Sequence, residues 1–333
     1  MRASVLIVTY RRAWSLPLLF EGLVRQTVQP DEVVVVLKPS GDGSEKIIGE
    51  YQNVLPIRLY IQEEGYAIHA YEMAIKKAEG DVLLFIDDDA VPHNEWVERY
   101  LRLFEKLKDA GAIGGLTLKG YLVNGRLVTT DDSLFGNEGT RDVFYRRPIP
   151  QLSDYCRWIS ISGYPGSKPC HSPMIKSVLL SGNNMGFRAD AIGELSLTEL
   201  YKRSRKAYAF EFLLAVNAVL RGFNTYHVVD KDIAPLSWHI ESHKDSLTRR
   251  SKFFDRFWLY YDREKLYFRL RRLGVKLSPL AYIAATLANM RRDPLPKLLS
   301  FLYTLSTEVI DSVGKRYNIT TMTTAYSSTS SGQ

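Results

Sequence analysis

Two kinds of hydrophobic pattern alternate along the first half of the chain. Val5–Thr9, Val33–Leu37 and Val82–Ile86 are short apolar runs rich in β-branched residues, and they predict strands buried on both faces. Ile57–Ile61 predicts a further strand. Between them the apolar residues recur at helical spacing. Trp14, Leu18, Leu19, Leu23 and Val24 mark a helix over 14–26, and shorter patterns mark helices over 44–51 and 66–78. Strands alternating with helices of this length predict right-handed βαβ units and a parallel sheet. A helix over 94–108 follows, then a strand over 111–117. Asn124-Gly125 between apolar pairs predicts a tight hairpin.

The pattern loosens over 129–176, where aromatics mix with Gly, Pro and Ser. Such a stretch reads as a functional loop region or lid. Val178–Arg188 predicts a short strand followed by a turn of small residues. A helix over 210–221 and strands over 223–228 and 233–238 come next. Helices are expected over 247–273, 279–290 and 295–313, and a Ser/Thr-rich, disordered tail over 320–333.

The strand at 82–86 runs into three acids, Asp87, Asp88 and Asp89. In an open parallel sheet ligands sit beyond the carboxyl ends of the strands. Three carboxylates there repel one another unless a cation offsets them, and hard oxygen donors suit Mg²⁺ or Mn²⁺. The formal charge of +7 fits an anionic partner such as a nucleotide or a membrane surface. It is spread along the chain and no nucleic-acid module is recognisable, so no nucleic-acid partner is expected. Met1–Ser4 leads into too short an apolar run for a signal peptide, and no apolar window is long enough to span a membrane. Of two cysteines, Cys156 and Cys170, the simpler reading is reduced thiols in a cytoplasmic protein, with a disulfide left open.

Four features in order resemble an inverting family 2 glycosyltransferase of the GT-A fold: Val8-Thr9-Tyr10-Arg11-Arg12, the Asp87–Asp89 triplet, an acid about a helix length before Arg221-Gly222, and a His after the last strand. The resemblance covers about residues 3–262. It implies an α/β fold, a Rossmann-like, mostly parallel sheet flanked by helices, with a C-terminal helical extension. Residues 1–117 would form a nucleotide-sugar-binding half, 118–240 an acceptor-binding half and 241–319 the extension. It implies a nucleotide pocket lined by Thr9, Tyr10 and Arg11. Asp89 would hold the metal, Asp87 the ribose or a metal-bound water, and Asp88 the sugar. His239 would complete the metal site, with His243 as a rival. Glu211 would be the general base, although the acid that commonly precedes it is Phe210 here. The implied cofactor is Mn²⁺ or Mg²⁺, the donor a nucleotide-diphosphate sugar, the acceptor a glycan or a lipid-linked sugar.

The chain departs from the pattern after the second strand, where Leu37-Lys38-Pro39 lacks the acid that pairs with uracil in many relatives. The base is thereby left open between UDP, GDP and dTDP. Asp42 could supply the acid, and Lys38 could meet a phosphate. His171 is a weak candidate for acceptor contact, and Asn318-Ile-Thr320 is a formal glycosylation sequon. The basic and aromatic residues over 249–272 suit either an interfacial helix on an anionic cytoplasmic membrane face or, slightly favoured, a helix packed on the catalytic domain. The competing functions are a nucleotidyltransferase, which lacks support from any Gly-rich phosphate loop, and a protein that binds nucleotide-sugars without turnover.

Overall fold

The computed structural model describes residues 1–133, 143–241, 253–291 and 293–316. His243, the sequon and the tail over 320–333 lie outside them. The first half alternates as expected: β1 (Ala3–Thr9), α1 (Leu16–Val24), β2 (Glu32–Leu37), α2 (Ser44–Tyr51), β3 (Ile57–Ile61), α3 (Ala67–Lys77) and β4 (Val82–Ile86). Next come β5 (Ala90–Pro92), α4 (Trp96–Lys106), β6 (Ala110–Gly114) and the hairpin β7 (Leu116–Val123) and β8 (Arg126–Ser133). Asn124 and Gly125 turn that hairpin with φ of 50° and 76°, as a primed turn requires.

The second half supplies β9 (Arg157–Ile159), β10 (Pro165–Ser167), β11 (Met174–Lys176) and β12 (Asn184–Arg188). Then follow α5 (Ala189–Ile192), α6 (Leu197–Leu200), α7 (Phe210–Leu220), β13 (Asn224–Val228) and β14 (Leu236–Ile240). Three helices end the described chain: α8 (Phe253–Arg272), α9 (Pro279–Asn289) and α10 (Pro294–Arg316).

An eight-stranded sheet runs β11-β13-β6-β12-β4-β1-β2-β3. Strands β3, β2, β1 and β4 are parallel, while β12 enters antiparallel between β4 and β6. The chain winds outward from β1 to β3 and then returns to β4 on the other side. The carboxyl ends of β1 and β4 therefore lie side by side at the topological switch point, where such sheets bind ligands. Alternate residues serve opposite faces: Val5 and Ile7 join Phe20, Trp96 and Phe104, whereas Leu6 joins Leu83, Phe85 and Leu213.

Three expectations need correction. The strand expected over 111–117 is two strands in two sheets. At Gly115 the chain leaves β6 for β7, part of a smaller sheet ordered β5-β14-β7-β8. A Cβ on Gly115 would stand 2.4 Å from the Pro235 carbonyl oxygen, so only glycine fits the crossing. Around 178–188 the order is reversed: the small-residue turn comes first and β12 follows it. Cys156 and Cys170 are disulfide-bonded rather than reduced, closing a loop of sequence separation 14.

Candidate active site

Strand β4 is buried throughout because both its faces are covered, so its end projects Asp87, Asp88 and Asp89 from a rigid support. Asp88 turns toward β1. Its carboxylate accepts from Arg12 Nε at 3.0 Å and weakly from the Tyr10 backbone N–H at 3.4 Å. Arg12 Nη2 lies 3.1 Å from Asp89 Oδ2 and so bridges two of the three acids. Arg11 adopts φ 59° and lays its guanidinium over the exposed Tyr10 ring at 5.0 Å. The Thr9 hydroxyl is buried beside the Asp88 carboxylate.

His239 reaches the acids through the small sheet. It lies within β14, not after it, and pairs in register with Ala90, the residue next to Asp89. The Ile240 N–H donates to the Asp89 carbonyl at 2.8 Å. His239 Nδ1 stands 3.2 Å from Asp89 Oδ1, and it is buried without an aligned hydrogen bond. One carboxylate oxygen and one imidazole nitrogen suit a divalent cation whose other positions are filled by phosphate oxygens. Asp87 does not join them. It faces Tyr71, whose hydroxyl is 3.4 Å away, and no cluster of three or more metal-ligating side chains exists among the described residues. Of the residues expected at the metal, Asp89 and His239 stand together, while Asp87 turns toward Tyr71.

The electrostatics follow from this crowding. Burial and the adjacent Asp89 push Asp87 up to about 6 and Asp88 up to about 7, against the opposing pull of Arg12. For His239 burial acts downward, but the charges of Asp89 and Asp87 outweigh it and hold the imidazole above its ordinary value.

Glu211 sits in the first turn of α7. Its carboxyl packs 3.9 Å from the Cβ position of Gly182, in the small-residue turn before β12. Part of the residue remains accessible, but burial of the carboxyl, reinforced by the Asp87 charge, pushes it up to about 8. Phe210, one residue earlier, stacks on Tyr71 at 4.2 Å between ring centroids. Tyr71 thus touches both the acid cluster and the helix that carries Glu211. Arg12 belongs to the strand-end motif and Gly182 to the small-residue turn that the sequence marks, though neither carries a role there; Tyr71 is not singled out from sequence.

Asp42 is not a free acid. Ala13 N–H, Ser40, and the N–H and hydroxyl of Ser44 all donate to it; against the upward effect of burial they bring it down to about 2. It joins the turn after β1 to α2. Lys38 donates to the Gly65 carbonyl at 2.6 Å. A cavity of about 490 Å³ beyond β2 is lined by Leu37, Pro39, Asp42 and Ser44. His171 is exposed.

A doubly wound sheet with buried acids at its switch point and a buried carboxyl across from them defines a nucleotide-sugar transferase architecture of GT-A type. The model of glycosyl transferase family 2 matches residues 4–163, so that stretch is a domain of that family. It is 26% identical over 125 residues to a glucosyl-dolichyl phosphate glucuronosyltransferase of Haloferax volcanii, covering 37% of this chain and 40% of that one. It is 29% identical over 114 residues to a chondroitin synthase of Escherichia coli, covering 33% of this chain and 17% of that one. The matches thus span less than half of either relative. Among solved structures, S. aureus TarS 1–349 in complex with UDP-GlcNAc superposes with a TM-score of 0.54 at 18% identity, covering 92% of this chain and 72% of that one. The mannosyltransferase PcManGT from Pyrobaculum calidifontis, in complex with GDP-Man and Mn²⁺, gives a TM-score of 0.52 at 16% identity, with 95% and 82% covered. At these identities the likeness is one of fold.

Proposed function

We propose that the chain transfers a sugar, with inversion, from a nucleoside-diphosphate sugar to an acceptor hydroxyl. The observation that carries this reading is the raised carboxyl of Glu211, set beside Gly182 and within the field of Asp87. Glu211 takes the proton from the acceptor hydroxyl as that oxygen attacks the anomeric carbon from the face opposite the leaving group. Small residues at 181–183 leave room for the acceptor beside it. Thr9 and Tyr10 border the nucleoside, and the cavity beyond β2 is a candidate pocket for its base.

Asp89 and His239 are the residues that would hold Mn²⁺ or Mg²⁺, with Asp87 next to them. Such a cation supplies charge neutralisation for the departing diphosphate. Arg12 holds Asp88 and Asp89 in place and offsets part of their charge before the donor arrives. The base and sugar of the donor are open, since Asp42 is already occupied by four donors. A lipid-linked or glycan acceptor is supported by the names of the two relatives above.

The test is a screen of UDP-, GDP- and dTDP-sugars for thermal stabilisation and turnover with Mn²⁺ or Mg²⁺. One donor is expected to stabilise the protein only with metal. Glu211→Gln should keep that stabilisation while turnover falls by about 10²–10⁴. Donor binding without turnover in the unsubstituted protein would favour the non-catalytic reading, to which Phe210 in place of an acid lends weight. No stabilisation by any donor would remove the proposal.

A further inference from the structure

Helix α10 is amphipathic in the wrong direction. Ser300, Thr304 and Thr307 are its buried stripe, whereas Leu295, Leu298, Leu302, Leu305 and Val309 point outward. Spacings of three and four put each set on one face. Val309 is 61% and Leu302 52% exposed, while helices of soluble proteins turn such residues toward the core. The buried Ser300 and Thr307 hydroxyls are satisfied by carbonyls of their own helix. The neighbouring α9 repeats the arrangement. Leu280, Ile283 and Leu287 face outward, with Leu280 81% exposed, and Tyr282 packs inward against Phe301 of α10 at 6.1 Å between centroids. The basic, aromatic α8 is largely packed instead, burying Tyr261, Leu266, Tyr267 and Leu270.

The charge of this region selects the occupant. Residues 253–316 contain twelve Lys and Arg against six Asp and Glu. Every one of those acids is engaged: Asp255 by Lys206, Asp262 by Arg269, Asp293 by Arg256, Glu308 by Lys265 and Arg272, Asp311 by Arg203, and Glu264 by Tyr164 and Thr286. The charge left over is positive, and Arg271, Lys276 and Arg291 are exposed. Lys276 and Arg291 lie just beyond the two ends of α9, and an outward apolar face joined to excess positive charge is complementary to anionic lipid headgroups. A second copy fits less well, because a twofold contact would set the cationic border against itself. Residues 317–333 are rich in Ser and Thr and offer few apolar side chains to cover the face. Among the described residues no helix is long and apolar enough to cross a membrane.

We propose that the outward faces of α9 and α10 dock on the surface of an anionic lipid bilayer, lying in the headgroup plane without crossing it. The inference does not depend on the sugar-transfer reading. The full chain is to be sedimented with vesicles of phosphatidylcholine alone and of phosphatidylcholine mixed with phosphatidylglycerol. Binding to the anionic vesicles is expected to be at least about tenfold stronger and to weaken with salt. The double substitution Leu302→Glu/Val309→Glu should cost about tenfold or more in that binding at unchanged Tm. Arg271→Glu/Lys276→Glu should remove the preference for anionic vesicles. Failure of the unsubstituted chain to bind any vesicle, or equal binding by the Leu302→Glu/Val309→Glu variant, overturns the proposal. So does a dimer in sedimentation velocity that this variant dissolves while neither form binds lipid; the occupant is then a second copy.

Discussion

Glu211 carries the sharpest consequences at the scale of one residue. Its carboxyl is held at about 8 by burial, against an ordinary value of 4.5. Between those two pH values the folded chain keeps a proton that the unfolded chain has released. Stability therefore falls as pH rises across this window and levels off above it. Glu211→Gln removes that contribution, so its Tm is expected to match the unsubstituted protein near pH 4.5 and to exceed it above pH 8. Melting curves across this range provide the check; a parallel pH dependence in both proteins would count against a buried, titrating Glu211. The sign for catalysis is opposite. The base form grows as pH rises, so turnover should climb toward a plateau past about 8 in the unsubstituted enzyme.

At the scale of elements, two features set the site. Gly115 lets the chain pass from the large sheet to the small one, and the small sheet brings His239 to Asp89. In Gly115→Ala the methyl group would meet the Pro235 carbonyl at 2.4 Å and the Asn184 side chain at 2.6 Å. A loss of about 1–3 kcal/mol is expected in urea denaturation, with weaker metal-dependent donor binding. The second feature is the loop before α7, where Arg203, Ala207 and Ala209 all hold positive φ. Strain of this kind persists only where the surroundings enforce it. Here Asp262 of α8 enforces it, accepting from Ser204 at 2.7 Å and from the Lys206 N–H at 3.2 Å while pairing with Arg269 at 2.8 Å. Asp262→Ala would leave Arg269 buried and unpaired, at a cost of about 3–5 kcal/mol. Because the loop leads directly into Glu211, turnover is expected to drop more than donor binding does.

At the scale of the whole molecule, the C-terminal helices are an integral part of the fold. Leu266 and Leu270 of α8 share one apolar cluster with Phe210 and Leu213 of α7, and Tyr267 of α8 packs with Tyr282 of α9 and Phe301 of α10, so the candidate base and the proposed lipid-facing helices belong to one packed body. The Cys156–Cys170 bond clamps the ends of the antiparallel pair β9–β10, in the stretch between β8 and β12. Closing a loop of this size contributes about 2–4 kcal/mol, so denaturation with and without reductant should separate the midpoints accordingly. Equal midpoints would mean that the bond adds nothing to the folded state.

The sequence by itself determined β1 to β4, the helices between them, the Asn124-Gly125 hairpin and the position of the acid triplet. These depend on local pattern: β1, β2 and β4 are buried on both faces, so composition alone marks them. It also pointed to Glu211 and His239 through the resemblance. The tertiary structure decided what could not be read locally. Arg12 meets Asp88 across 76 residues, and Tyr71 reaches Asp87 only because α3 packs over β1 and β2 beside β4. His239 meets Asp89 because β14 pairs with β5, a partnership between short strands far apart in sequence. The outward leucines of α10 follow the same logic in reverse. Their period announces a helix, but which side faces the protein depends on what that helix packs against, and here it packs through Ser and Thr.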